Sequence, residues 1–283
     1  MKTLRAKMNF EEFRKLQTIT EINKLKVSYV AIGEGPSVLL IHGIPVWGYL
    51  WKDTIELLSK HFTLIIPDLV GYGYSDKRDC FDRSIKVQSD ILTKLVDQLG
   101  IEELFVVGHD IGGAVAQRFT IDNQTRVQKL VLMDSVLYDS WPADPMVSLG
   151  NPKQHYRNKG DELAKKFIQR LPAGIFHKEI ATPEMLEGWM KPYSTEEGKL
   201  SLIRNASALN TNHTMELMEE LKQLKKPKLL IWGEKDQFQP ISTAEKFHQE
   251  VVNTELIKIP DSDHFLPLEK PKETAELLIQ FFS

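Results

Sequence analysis

Several features are scarce in this chain of 283 residues, and each scarcity argues against a class of protein. The only cysteine, Cys80, cannot form an intrachain disulfide, which fits a reducing cytoplasm. The formal net charge of -3 provides no basic footprint for nucleic acid. There is no apolar run near the ~20 residues of a membrane span, and no signal-peptide pattern is visible. We therefore expect a cytoplasmic protein without a nucleic-acid or membrane partner.

Apolar residues make up 42% of the chain, enough for a sizeable core. Strand-like apolar runs alternate with helical patterns such as Ser84 to Leu99. This alternation predicts an α/β protein with a mostly parallel, doubly wound sheet. The first two strand-like runs, near Thr18 to Ile22 and Leu25 to Ala31, have no helix between them. They are expected to form an antiparallel hairpin at the edge of the sheet.

The alternation stops between about Leu137 and Leu221, where prolines and amphipathic helical patterns replace it. It resumes from Lys228 to Phe282. We interpret the interruption as a helical cap, inserted after the sixth strand of an eight-stranded core. The core then comprises residues 1–136 and 222–283, and the cap comprises residues 137–221 within the same structural domain.

A glycine-flanked aspartate, Asp110, follows a strand-like run from Leu104 to Val107 and precedes a helical pattern from Ala114 to Ile121. The segment has the form of a nucleophile elbow, with aspartate where most elbows carry serine. Gly108 and Gly112 would allow the backbone to bend sharply and project the central side chain above the sheet. The alternative interpretation is that Asp110 only caps the following helix.

An aspartate nucleophile restricts the chemistry. Its reference pKa is about 3.9, so it is anionic at neutral pH and needs no base for its own attack. Attack on an ester or amide would give a reactive anhydride, whereas attack on a saturated carbon displaces a leaving group and gives an alkyl ester on the enzyme. The sequence therefore predicts a small, apolar substrate with an electrophilic sp3 carbon.

Two partners are expected after the elbow, in the order acid then histidine. Asp236 follows the strand-like run Lys228 to Trp232 and is the candidate acid. His264 follows the run Glu255 to Ile259 and is the candidate base. Both lie just beyond the carboxyl ends of predicted strands, where open α/β sheets build their sites.

Asp134 is a second candidate for the acid. It follows another strand-like run, Leu130 to Met133, and could orient His264 from there in place of Asp236. We keep it as the reserve acid.

An oxyanion hole is expected after the strand-like run Ser37 to Ile41, which leads into the sequence His-Gly-Ile-Pro. The backbone N–H groups of Ile44 and Ile111 are the predicted donor pair. Pro45 has no N–H and cannot contribute one.

These residues together resemble the α/β-hydrolase family, in the branch with an aspartate nucleophile that includes haloalkane dehalogenases and epoxide hydrolases. His42 to Trp51 is similar to the dehalogenase oxyanion segment, and Pro67 to Lys77 is similar to the family's loop after the next strand. The resemblance extends from about Val27 to the C-terminus. It implies an α/β-hydrolase fold in which Asp110 forms an ester and a water activated by His264 hydrolyses it, without a metal or organic cofactor.

The leaving group separates the two leading interpretations. Related dehalogenases bind the halide with a tryptophan directly after the nucleophile and often an asparagine in the oxyanion segment, but this chain has Ile111 and Ile44 there. Related epoxide hydrolases protonate the epoxide oxygen with cap tyrosines. The candidate substrate-binding residues are Trp47, Trp141 and Trp189 for a halide, and Tyr138, Tyr156 and Tyr193 for an epoxide.

We favour a haloalkane dehalogenase-like hydrolase because of the oxyanion segment and the sequence Ser75-Asp76-Lys77. An epoxide hydrolase is the alternative. A small-molecule receptor or a cofactor-free oxygenase of the same fold is less favoured, since neither has a signature in the sequence. The sequence leaves the oligomeric state open.

Overall fold

In a computed structural model, residues 8–151 and 169–283 are described. Within them the chain forms one eight-stranded sheet. Its strands are β1 (Gln17–Ile22), β2 (Leu25–Ile32), β3 (Ser37–Ile41), β4 (Thr63–Pro67), β5 (Leu104–His109), β6 (Val127–Met133), β7 (Lys228–Gly233) and β8 (Thr254–Ile259). Their order across the sheet is β1-β2-β4-β3-β5-β6-β7-β8.

Helices lie on both faces of this sheet. In chain order they are α1 (Phe10–Leu16), α2 (Lys52–Leu58), α3 (Ile85–Gln98), α4 (Ile111–Asp122), α5 (Asp144–Gly150), α6 (Pro183–Met190), α7 (Glu196–Ser207), α8 (Asn212–Met215), α9 (Met218–Gln223), α10 (Ile241–Glu250), α11 (Leu266–Glu269) and α12 (Pro271–Phe282). Short 3-10 turns cover Gly48–Trp51, Leu171–Gly174, Lys178–Ile180 and Lys191–Tyr193. No described helix combines the length and the apolar character needed to cross a membrane.

The sheet is mostly parallel, as the alternating sequence pattern predicted. β1 and β2 pair antiparallel, which confirms the predicted hairpin, and Asn23 and Lys24 form its turn with φ of 52° and 64°. β2 also pairs antiparallel with β4, and every later pairing is parallel. The next strand along the chain, β3, lies between β4 and β5, so the hairpin is joined to the sheet through β4.

Apolar residues form separate clusters on the two faces of the sheet, because side chains along a strand alternate between its faces. In β3, Val38 and Leu40 belong to one cluster with residues of α2 and α12, and Leu39 and Ile41 belong to the other with residues of α3 and α4. All four side chains are at most 1% exposed. Burying one such side chain contributes about 1.5–3 kcal/mol relative to leaving it in water.

The segment between β6 and β7 contains only helices and turns in its described part. Two of these helices, α5 and α7, pack against each other. Residues of this segment also line a cavity above Asp110. The fold class predicted from the sequence is therefore confirmed, while the boundaries 137 and 221 of the cap stay a prediction.

Candidate active site

Asp110 lies in the sharp turn between β5 and α4. Its φ of 54° and ψ of -125° are unusual for any residue with a side chain, and such strain typically costs about 1–3 kcal/mol. The turn also needs its glycines, because a Cβ on Gly108 would collide with the carbonyl oxygen of Gly112. A Cβ on Gly112 would in turn collide with the backbone of β3 and of His42. The Asp110 carboxylate is thus held at the carboxyl end of the sheet, 6% exposed.

His264 lies between two carboxylates. Its Nδ1 donates a hydrogen bond to Oδ2 of Asp236 at 3.0 Å, so the lone pair of the neutral ring is on Nε2. Nε2 is 3.7 Å from Oδ2 of Asp110, too far for a hydrogen bond. A water molecule beside this pair could lie within hydrogen-bond distance of both atoms.

Asp236 is fixed by the loop that follows β7. Its Oδ1 accepts hydrogen bonds from the backbone N–H groups of Phe238 and Gln239, each at 2.8 Å. Its Oδ2 is therefore directed to the ring of His264. The structure thus brings Asp110, Asp236 and His264 together from three separate segments.

Asp134 is fully buried beside this group but does not bond to His264. Its Oδ1 accepts a hydrogen bond of 2.8 Å from the N–H of Gly233, and its Oδ2 has no hydrogen-bond partner within the described chain. Burial, followed by the charge of Asp236, raises the pKa of Asp134 well above its ordinary value. The geometry therefore favours Asp236 over Asp134 as the residue that orients His264.

The expected oxyanion donors both act on Asp110. The backbone N–H of Ile44 donates to Oδ1 of Asp110 at 2.8 Å, and the backbone N–H of Ile111 also hydrogen-bonds the carboxylate. A Cβ on Gly43 would overlap the Asp110 side chain, so the glycine permits this close approach. Oδ1 therefore accepts the N–H of Ile44, while Oδ2 faces His264.

Electrostatics differ between the two reacting side chains. Burial raises the pKa of Asp110, although His264 and the two backbone donors oppose the shift. Burial alone would lower the pKa of His264, but the charge and hydrogen bond of Asp236, with the charge of Asp110, raise it overall. Both carboxylates therefore favour a protonated His264.

Two further histidines hold the site in place, and sequence reasoning did not find them. His42 accepts a hydrogen bond at Nε2 from the N–H of Leu69, so its Nδ1 donates to the carbonyl of Gly43. His109 donates from Nε2 to the backbone carbonyl of His264 at 2.7 Å. Burial lowers the pKa of His42 to about 4 and that of His109 well below its ordinary value, so both rings are neutral.

A cavity of about 200 Å³ lies above Asp110 and has mainly apolar walls. Its lining includes the predicted residues Asp110, His264, Ile44, Ile111 and Trp141. Its other lining residues are Val136, Pro142, Ala143, Pro145, Met146, Arg170, Leu171, Ala173, Leu209, Phe238, Gln239 and Phe265. Residues 8–151 and 169–283 contain no group of three or more His, Cys, Asp or Glu side chains that could hold a metal ion.

Two of the three predicted tryptophan donors bond other residues, and the third lies outside the cavity lining. Trp141 lines the cavity, but its Nε1 donates to Oγ1 of Thr214 at 2.8 Å. Trp47 donates to the carbonyl of Gly188 at 3.0 Å and does not line the cavity. Trp189 is outside the lining too, packed behind Phe265 at 4.7 Å between ring centroids.

The predicted tyrosines are not part of the described lining either. The hydroxyl of Tyr138 donates to Glu250, and Tyr193 is buried away from the cavity. Tyr156 lies outside the described residues. Trp141 is thus the one predicted aromatic residue that the described structure brings to the cavity wall.

The sheet, the elbow and the aspartate–histidine arrangement together define a class of protein. The family described as alpha/beta hydrolase fold matches residues 36–271. Because this match covers most of the chain, the chain belongs to the α/β-hydrolase family, as the sequence resemblance indicated.

Individual relatives are more distant. Haloalkane dehalogenase 2 of Mycobacterium tuberculosis (strain ATCC 25618 / H37Rv) is 27% identical over 269 residues, covering 91% of this chain and 91% of that protein. The soluble epoxide hydrolase of Corynebacterium sp. (strain C12) is 27% identical over 279 residues, covering 93% and 95%. The crystal structure of haloalkane dehalogenase DbeA from Bradyrhizobium elkani USDA94 has a TM-score of 0.83 at 22% identity, covering 94% of this chain and 97% of that chain. At this identity, the structural likeness shows the fold alone.

Proposed function

We propose that this chain hydrolyses a small apolar substrate at an electrophilic sp3 carbon, through an alkyl ester on Asp110. The proposal rests on one observation: the two oxygens of the Asp110 carboxylate lie in different environments. Oδ1 receives the N–H of Ile44 at 2.8 Å, whereas Oδ2 faces Nε2 of His264 at 3.7 Å. The two oxygens are therefore suited to different tasks.

In the first step, Oδ2 of Asp110 attacks the carbon of the substrate and the leaving group departs with the bonding electron pair. Oδ2 is the attacking atom because Oδ1 already accepts the N–H of Ile44. The attack needs an ionised carboxylate and no base. Oδ1 becomes the carbonyl oxygen of the ester and remains in the oxyanion hole.

In the second step, Nε2 of His264 takes a proton from a water molecule, which attacks Cγ of Asp110. The N–H groups of Ile44 and Ile111 stabilise the negative charge that develops on Oδ1. The bond between Cγ and Oδ2 then breaks, and Oδ2 leaves in the alcohol, which takes the proton back from Nε2 of His264. The new carboxylate of Asp110 contains the oxygen of the attacking water.

We favour a haloalkane over an epoxide as the substrate. A halide leaves without a proton, whereas the oxygen of an opened epoxide needs a proton donor. The described cavity lining contains no tyrosine, and the hydroxyl of Tyr138 is bonded to Glu250. The dehalogenase relative supports this choice, and the epoxide hydrolase relative keeps epoxide hydrolysis as the alternative.

The covalent step is tested with His264→Gln, which removes the base but not the nucleophile. Incubated with a short bromoalkane, this variant is expected to gain the mass of the alkyl group on the peptide containing Asp110, by mass spectrometry. Asp110→Ala is the matched control and should gain nothing. Parallel incubations with a short epoxide distinguish the two substrate classes by the mass of the adduct.

Isotope labelling tests the second step in the unmodified enzyme. A single turnover in heavy-oxygen water should leave the label in the Asp110 carboxylate and not in the alcohol. Turnover that labels only the alcohol, with no adduct in His264→Gln, would show that water attacks the substrate directly and would rule out the ester.

A further inference from the structure

Gln239 is a polar side chain in the wall of the apolar cavity that contains Asp110 and His264. It is only 3% exposed. Its backbone is held on both sides, because its N–H donates to Asp236 at 2.8 Å and its carbonyl accepts from Nε1 of Trp232 at 2.8 Å. The residue is therefore attached directly to the loop that carries Asp236.

In the structure the amide of Gln239 is oriented with Oε1 towards Ser140. The Ser140 hydroxyl oxygen accepts the backbone N–H of Leu137 at 3.3 Å and has its own proton to donate. It donates to Oε1 of Gln239 at 2.9 Å. Nε2 of Gln239 is then the other end of the amide, and within residues 8–151 and 169–283 the Gln239 side chain hydrogen-bonds only Ser140, through Oε1.

A hydrogen-bond donor in an apolar cavity wall gains a partner when a polar atom of a ligand, or a water molecule, binds beside it. Among the other donors considered for the leaving group, the N–H groups of Trp141 and Trp47 and the hydroxyl of Tyr138 have protein acceptors. Trp189 and Tyr193 lie outside the described cavity lining. Arg170 also lines the cavity, but it is exposed to solvent. Gln239 is thus the buried side-chain donor that this described cavity offers.

We infer that Nε2 of Gln239 binds the leaving group and that the leaving group is a halide, an inference that rests on the proposed function. As the bond from Asp110 Oδ2 to the substrate carbon forms, the carbon–halogen bond breaks and its electron pair leaves with the halide. Nε2 donates a hydrogen bond to the halide and transfers no proton. An amide cannot supply the proton that an opened epoxide requires, so this donor selects haloalkanes.

Halide binding tests this inference apart from turnover. The Asp110→Asn protein is suitable because it lacks the charge that would repel an anion. Sodium bromide is titrated into it and followed by calorimetry at constant ionic strength. Adding Gln239→Met, which keeps the length of the side chain but removes its donors, should weaken bromide binding by ~10- to 100-fold, as for the loss of one hydrogen bond to a charged group.

Two matched controls use nearby residues. Gln237→Met removes a glutamine that bonds Asp263 and lies outside the cavity lining, so bromide affinity should change by less than about twofold. Arg170→Met should also have an effect below about twofold, since its exposed charge is screened by salt. Gln239→Glu provides a second test of the donor, because it keeps the acceptor for Ser140 but replaces Nε2 with oxygen. It should bind bromide no better than Gln239→Met.

The kinetics of Asp110 alkylation distinguish failure of this inference from failure of the proposed function. In the His264→Gln protein, alkylation of Asp110 by a bromoalkane tests the proposed function, and adding Gln239→Met should slow this alkylation by ~10- to 100-fold. If alkylation occurs but neither its rate nor bromide affinity depends on Gln239, the inference is wrong and the proposed function stands. If no bromoalkane forms an adduct, the proposed function is wrong, and the inference that rests on it is wrong as well. Loss of bromide binding in Arg170→Met but not in Gln239→Met would also overturn the inference.

Discussion

Asp134 and Asp236 are buried carboxylates beside neighbouring parallel strands, yet only one of them contacts His264. Asp134 comes directly after β6, and its N–H still bonds to β7 at the carbonyl of Ile231. Its side chain therefore stays at the depth of the sheet, where it accepts the N–H of Gly233. Asp236 lies further along its loop beyond β7, where its carboxylate reaches the ring of His264. The distance past the strand end therefore decides which carboxylate can bond His264.

The largest expected effect separates these two acids directly. Asp236→Asn removes the carboxylate that holds Nδ1 of His264, so the ring loses its correct tautomer. We expect turnover to fall by about 10⁴-fold, as when the orienting aspartate of a Ser-His-Asp triad becomes an amide. Alkylation of Asp110 should persist, because that step does not use His264. Rapid-quench mass spectrometry would then detect the accumulated ester. A loss of turnover without that ester would contradict the assigned role.

The pH dependence of ester hydrolysis should also distinguish Asp236 from Asp134. His264 must be neutral to accept a proton, so the rate should fall tenfold for each unit of pH below its pKa. Burial lowers the pKa of His264, but Asp236 is the main cause of an opposing rise, and the pKa is raised overall. The acid limb of the pH–rate profile should therefore lie above the ordinary value of about 6.5. Single-turnover rates across pH measure it. Asp236→Asn should move the limb to lower pH, and Asp134→Asn should leave it in place. A limb below 6.5 in the unmodified enzyme would contradict this assignment.

The smallest expected effect is that of Asp134→Asn on turnover, which should change by less than about tenfold. Its effect on stability has a definite sign. The pKa of Asp134 is raised in the folded state, so the folded protein binds more protons than the unfolded chain between the two pKa values. The free energy of unfolding therefore decreases there as pH rises, and Asn removes this decrease. Urea unfolding at several pH values should show the variant gaining stability relative to the parent as pH rises from about 4. A constant difference would show that the carboxyl does not titrate on folding.

Much of the fold was predictable because its signals are local. The strand pattern around Asp110 and its glycines predicted the elbow, and the missing helix between β1 and β2 predicted the edge hairpin. Residues after the ends of β7 and β8 were expected near Asp110, since parallel strands end at one edge of the sheet. The structure places His264 3.7 Å from Asp110, and Asp236 against His264.

The cavity wall was less predictable because its contacts are set by tertiary packing. The aromatic composition gave no sign that the N–H of Trp141 would be bound by Thr214. Gln239 and His109 belong to segments that the sequence had already singled out, but their importance depends on hydrogen bonds to Ser140 and to the carbonyl of His264. A hydrogen-bond donor indicates a binding site only when the structure shows whether a neighbouring acceptor already binds it.

β6 and β7 are neighbours in the sheet, and their position determines where the chain can accept insertions during evolution. Leu130 pairs with Lys228 and Met133 with Ile231, so the intervening segment leaves and re-enters the sheet through two neighbouring strands. The turn at Asp110 and the Ile44 N–H that bonds its carboxylate instead follow β5 and β3, whose register joins Gly108 to Ile41. Insertions and exchanges between β6 and β7 can therefore reshape the cavity above Asp110 without altering the contacts that hold the Asp110 carboxylate.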